Sequence, residues 1–274
     1  EVALPLAQAG VHLLIEKPIS SSIDGVSNLI DVCKQQNLIL MTGYNLRFLK
    51  SLQKFREFLA EEQVGRVLSV RSEIGQFLPS WRPDVDYRQT VSAKASLGGG
   101  VLLELSHEID YLLWLFGDIE WLSAIQKKQS DLDINVEDIV HLVIGFEHRE
   151  GTRPIIANLN MDFLRHDTTR TCTVIGENGT LRWDAVSGIV DVFEQGAKGW
   201  TTLFIEEKQR DSSYIAEWQH FLKCISDGSP PLVSGLDGLK VLQVIESIRR
   251  SSSEGTVISL TKWDKESTAL KITE

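Results

Sequence analysis

Cysteine is scarce and scattered. Cys33, Cys172 and Cys224 are odd in number and far apart, which excludes a disulfide frame or a zinc knot and reads as reduced, buried thiols with no metal. No apolar run approaches the roughly 18 residues of a membrane helix. Basic residues are outnumbered, 28 against 38 acidic for a formal charge of −10, so the basic stripe of a nucleic-acid surface is missing. There is no internal repeat and no low-complexity tract. The opening Glu1-Val2-Ala3-Leu4-Pro5 lacks the basic start of a secretory leader, and the expected location is cytoplasmic. What is present is ordinary for a globular protein, 42% apolar and 24% charged. At 274 residues, two domains or one large α/β unit with a sizeable core are expected.

Residues 1–10 read as the end of a helix stopped by Gly10, and 11–15 as a short buried strand closed by Pro18. The run Ser20-Ser21-Ser22-Ile23-Asp24 caps a helix with Val26, Leu29, Ile30 and Cys33 on one face. Residues 38–42 read as a second apolar strand. Two continuously apolar strands joined through a helix predict parallel pairing, part of a doubly wound Rossmann-type sheet. After a helix at 50–62 the texture changes. Strands are predicted at 67–74, 121–128, 140–147, 154–163, 171–175, 180–184, 189–194 and 200–206, with Asn178-Gly179 as a hairpin turn of positive φ. Helices at 214–225 and 236–250 close the chain, and the polar tail after Leu260 is expected to be poorly ordered. The resulting fold class is α/β, a partial parallel sheet over 1–48 followed by an α+β domain over 49–274 with a large, mainly antiparallel sheet.

Three segments carry the candidate chemistry. Lys17, in Glu16-Lys17-Pro18, leaves the first strand at the end where open α/β sheets bind ligands. The segment Gly43-Tyr44-Asn45-Leu46-Arg47 leaves the second strand on the same edge. The third is 101–116, read as one helix: Val101, Leu105, Ile109, Leu112 and Phe116 on an apolar side, Glu104, His107, Glu108 and Tyr111 on a polar one. His107 is then either an acid/base, because imidazole titrates near working pH, or a histidine on a solvated face. Lys17 is either a site cation or a solvated lysine. Gly98-Gly99-Gly100, just before, admits close approach of a backbone or ligand.

In this order, Glu16-Lys17-Pro18, Gly43-Tyr44-Asn45-Leu46-Arg47-Phe48, Gly98-Gly99-Gly100-x3-Glu104-x2-His107-x2-Asp110 and Trp114-Leu115-Phe116-Gly117, the sequence resembles the glucose–fructose oxidoreductase / inositol dehydrogenase (Gfo/Idh/MocA) family over nearly its whole length. The resemblance implies a dinucleotide-binding domain, a second domain whose sheet often forms a homo-oligomer interface, and hydride transfer between NAD or NADP and a sugar or cyclitol hydroxyl. It implies catalytic roles for Lys17, His107 and Asp110, and a cofactor side built by Glu16, Lys17, Pro18, Asn45 and Arg47. Tyr44, Trp81, Arg82, Tyr87, Arg88 and Glu104 are the implied substrate contacts. The stretch Gln76-x4-Trp81-Arg82-Pro83-x3-Tyr87-Arg88 is similar to a subgroup associated with bacterial surface-sugar synthesis. Arg82, Tyr87 and Arg88 either grip an anionic or polyhydroxyl substrate or are surface residues of a loop.

The sequence departs from the family pattern twice. Where many members carry an aspartate four residues before the histidine, this chain has Leu103, with Glu104 three before. It also contains no Gly-x-Gly-x-x-Gly phosphate loop, so the chain reads as a member lacking its first strands. The alternative functions are then a non-catalytic sugar-binding or assembly protein of the same fold, or an inactive fragment.

Overall fold

A computed structural model of the chain describes residues 2–148, 153–207 and 211–260. Near the N-terminus, α1 (Ala3–Gln8) leads into β1 (Leu13–Glu16), then α2 (Val26–Gln35) and β2 (Leu40–Gly43). The two strands pair in parallel, from Leu13 opposite Leu40 to Glu16 opposite Gly43. Both therefore end at one edge, which sets Lys17 beside Tyr44 and Asn45. Each strand starts two residues later than its apolar run suggests. The Val11 N–H donates to Leu6 O at 3.0 Å and the Leu38 N–H to Cys33 O at 2.8 Å, so each residue closes the preceding helix instead of entering the ladder.

The rest of the described chain builds one sheet of nine strands: β3 (Val67–Gly75), β4 (Ile119–Lys127), β5 (Ile139–Phe146), β6 (Ile156–Asp162), β7 (Thr169–Gly176), β8 (Gly179–Asp184), β9 (Ile189–Glu194), β10 (Thr201–Ile205) and the short β11 (Ile258–Ser259), which the sequence reading lacked. Its order is β10-β9-β8-β7-β3-β6-β5-β4-β11. Every neighbouring pair is antiparallel except β3 with β6. Strict alternation gives the sheet two unlike faces. Val70, Leu142, Ile144, Leu159, Met161, Cys172 and Val174 are buried on the inner face; Arg71, Glu73, His141 and Asn158 lie on the outer one. Helices α3 (Lys50–Ala60), α5 (His107–Phe116) and α7 (Gly235–Glu254) pack on the inner face, against β8, β3 and β4 respectively, while α6 (Ser212–Asp227) packs beside Asn45–Phe48. Each large apolar side chain buried there contributes about 1.5–3 kcal/mol.

Two expectations change in detail. The β7–β8 connection is a hairpin, but neither Asn178 nor Gly179 has a positive φ. The turn is held from outside instead, by the Asn178 N–H to Val64 O at 2.9 Å and the Glu177 N–H to Arg66 O at 3.1 Å. The segment 101–116 is two helices, α4 (Val101–Glu104) and α5, broken at Leu105-Ser106, where the Ser106 hydroxyl donates to Leu103 O at 3.0 Å. The tail after Leu260 lies outside the described residues. Among the described residues no helix is long and apolar enough to cross a membrane.

Candidate active site

The break between α4 and α5 matters because it turns a helix end toward β1. A four-residue helix leaves its last carbonyls without intrahelical partners. The Glu104 carbonyl accepts from Lys17 Nζ at 2.6 Å, a bond spanning 87 positions of sequence. His107, the first residue of α5, lies on the same cavity of about 350 Å³, together with Lys17, Asn45, Trp81 and Glu104. That volume suits a ligand of sugar size.

The electrostatics of the pair follow from burial. Removal from water lowers the Lys17 pKa below that of an ordinary lysine, with Glu104 and Glu108 pulling the other way. Burial also drives the His107 pKa well below its usual value, and the charges of Lys17 and Arg170 push it further down. The imidazole is therefore neutral, and its buried Nδ1 has no hydrogen-bond partner among the described residues. Tyr44 meets the imidazole edge-on at 5.5 Å between ring centroids, fixing the ring plane. A neutral base beside a cation can accept a hydroxyl proton while the cation steadies the oxygen left behind.

Several residues expected at the site are elsewhere. Tyr44 is fully buried and its hydroxyl donates to Ser106 Oγ at 3.3 Å, so it supports the site without facing the cavity. Arg47 and Asp110 form a buried two-pronged ion pair, Nε to Oδ2 at 3.0 Å and Nη2 to Oδ1 at 2.7 Å. Arg47 also reaches Asp237 at 3.2 Å and Leu232 O at 3.1 Å. Burial opposes the Arg47 charge, but Asp110 and Asp237 outweigh it and hold the guanidinium pKa above its ordinary value. Both partners are spent on this pair and neither lines the cavity, so Asp110 is not placed to touch a substrate nor Arg47 a cofactor. Glu16 and Pro18 flank Lys17 at the strand end but are not among the cavity's lining residues.

The loop after β3 also divides. Trp81 joins the cavity, its indole N–H tied to Gln76 O at 3.0 Å. Arg82 and Tyr87 line a separate crevice of only about 10 Å³. Arg88 is exposed and engaged by Asp86 at 2.8 Å, so the loop's cations do not converge on the cavity. Glu104 is on the wall, and its carboxylate accepts from Ser92 Oγ at 3.1 Å.

The polar side assigned to 101–116 is not solvated. Glu108, Asp110 and Tyr111 are fully buried, each met by a different element: Arg170 of β7 at 2.8 Å, Arg47, and Ser72 of β3 at 2.5 Å. The triple glycine serves the backbone. A Cβ on Gly99 would collide with the carbonyls of Val91 and Ser92, and Gly98 and Gly100 have φ of +78° and +106°. The sequence reading missed Arg170, Thr168 and Tyr214, which complete the cavity wall. Arg170 had a signal: it shares the inward parity of Cys172 and Val174, where a charge is out of place.

Comparison with known proteins follows the same division. A family model described as "Oxidoreductase family, NAD-binding Rossmann fold" matches residues 1–44, and one described as "Oxidoreductase family, C-terminal alpha/beta domain", of the Gfo/Idh/MocA series, matches 56–260. The sequence is 28% identical over 266 residues to myo-inositol 2-dehydrogenase of Thermotoga maritima, covering 95% of this chain and 76% of that protein. Among solved structures, levoglucosan dehydrogenase in complex with NADH superposes with a TM-score of 0.83 at 20% identity, covering 94% of this chain and 76% of that one. Aldose-aldose oxidoreductase from Caulobacter crescentus complexed with glycerol gives 0.80 at 24% identity, covering 94% and 75%. At these identities the structural likeness is one of fold.

Proposed function

The chain belongs to the Gfo/Idh/MocA family of oxidoreductases, and from that premise we propose that it transfers hydride between a nicotinamide dinucleotide and the hydroxyl-bearing carbon of a sugar, sugar derivative or cyclitol. The observation that carries this reading is the meeting of Lys17 and His107 on one sugar-sized cavity. Support for the substrate class comes from the myo-inositol 2-dehydrogenase relative. Support for the cofactor, NAD or NADP, comes from the NAD-binding family model over 1–44.

The residues at the strand ends fit the reactive end of such a cofactor. Lys17 and Asn45 would hold it, at the carboxyl edge of two parallel strands where α/β sheets place their ligands. A bound nicotinamide dinucleotide supplies the hydride acceptor in oxidation and the donor in reduction. The protein's own part is acid–base and electrostatic. His107, neutral, takes the hydroxyl proton as the carbon–hydrogen bond breaks and the carbonyl forms. Lys17, fixed by the Glu104 carbonyl, stabilises the charge developing on that oxygen in a poorly hydrated site. In reduction the same two groups act in reverse.

In this reading residues 1–48 serve the cofactor and 49–274 the substrate. The outer sheet face, which no helix of the described chain covers, serves a homo-oligomer. The test is spectrophotometric: cofactor reduction at 340 nm across a panel of sugars and cyclitols, with Lys17→Met and His107→Asn. Each variant is expected to lose about 10²–10³-fold in kcat/KM while melting like the wild type. Wild-type turnover by Lys17→Met would overturn the assignment.

A further inference from the structure

The proposed chemistry uses one cation, yet β7 brings a second to the cavity. Arg170 lies at the start of β7 with the inward parity of Cys172 and Val174, and its side chain is 22% exposed where it joins the wall. Its Nε lies 2.8 Å from Glu108 Oε1. Burial pushes the Glu108 pKa up, and the guanidinium opposes this by favouring the carboxylate. Beyond this contact with each other, Arg170 Nε and the Glu108 carboxylate oxygens have no side-chain hydrogen-bond partner among the described residues. No guanidinium nitrogen of Arg170 hydrogen-bonds to another described residue.

A buried ion pair is a weak stabiliser, and apolar residues of similar volume commonly serve as well or better. What the arrangement does provide is position. Glu108 is fully buried and absent from the cavity wall, so it holds the guanidinium from the protein side and leaves the terminal nitrogens to a ligand. Lys17 gives one N–H to the Glu104 carbonyl and in the proposed chemistry serves the reacting oxygen, while the Glu104 carboxylate accepts from Ser92. A planar fork of free N–H donors matches a planar pair of oxygens, a carboxylate above all. We infer that Arg170 is a specificity-determining residue that binds the carboxylate of a sugar acid in this cavity, with Glu108 as its positioning residue. The preferred substrates are then aldonates, uronates or their derivatives, ahead of neutral sugars. This rests on the redox reading only in that the same cavity holds the substrate.

Matched pairs that differ only in CH2OH against COO⁻, D-glucose with D-glucuronate and D-galactose with D-galacturonate, test it. Wild type, Arg170→Lys and Arg170→Met are compared by cofactor reduction at 340 nm and by titration calorimetry with cofactor present. The wild type is expected to favour the acid of each pair, and Arg170→Met to lower the acid-to-neutral ratio about ten- to hundredfold, the scale of a hydrogen bond to a charged group. Arg170→Lys, a point charge without the fork, should fall between. Equal handling of acid and neutral sugar by the wild type overturns the inference, as does no binding of any acid, or an unchanged ratio in both variants. If Arg170→Met does not fold, the wild-type ratio and Arg170→Lys still decide. Turnover of neutral sugars alone sinks this inference and leaves the redox reading standing; binding of acids without turnover does the reverse.

Discussion

His107 shows how much a single side chain depends on its surroundings. On a solvated helix face it would titrate near 6.5 and lose its use as a base in mild acid. Buried, and facing Lys17 and Arg170, it holds its proton far less readily. The sign is definite. A base with a lowered pKa stays competent as pH falls, so the acid limb of kcat/KM for oxidation should lie well below pH 6.5. An acid limb centred at 6.5 or above in a pH–rate profile would contradict the buried, cation-facing imidazole. The same shift affects stability. Below the unfolded pKa of about 6.5 the unfolded chain binds the proton more readily than the folded one, so His107 makes stability fall with falling pH.

Between elements, the most consequential contact is one that does no chemistry. Arg47 follows β2, Asp110 sits in α5 and Asp237 in the first turn of α7, and their ion pairs bolt the three together beneath the site. Removing one partner of a buried pair strands the other charge. Asp110→Ala should therefore cost about 3–5 kcal/mol of stability, read as a lower denaturation midpoint with an unchanged slope. A loss of activity without loss of stability would instead put Asp110 in the reaction. The sequence pattern set His107 and Asp110 three apart as if they shared a role. The structure separates them, because α5 is surrounded and each of its polar side chains finds a partner on a different element.

At the scale of the whole molecule, the nine-stranded sheet has helices on one face and a half-open polar face on the other. If copies associate through that face, Thr173→Arg should drive oligomer to monomer in light scattering. It places a third arginine in register between Arg71 and Arg182 on neighbouring strands. Cross-strand repulsion itself costs up to about 1 kcal/mol, small enough for the monomer to stay folded. An unchanged mass would assign the interface to another surface.

Periodicity along the chain was enough to give the parallel pair, the succession of later strands and the two closing helices, because alternation and helical spacing report which side of each element meets the core. The ends of β1 and β2 were also legible, since parallel pairing sends Lys17 and Asn45 out along one edge. Long-range partnership was not. Nothing local shows that Glu104 turns its carbonyl to Lys17, that Asp110 is consumed by Arg47, or that Arg82 and Arg88 stay on their loop; the inward parity of Arg170 marks it as unusual without saying which cavity it joins. A side chain's affinity for its proton, and its freedom to meet a ligand, are fixed by groups distant in sequence that folding brings within a few ångströms; local pattern carries no record of them.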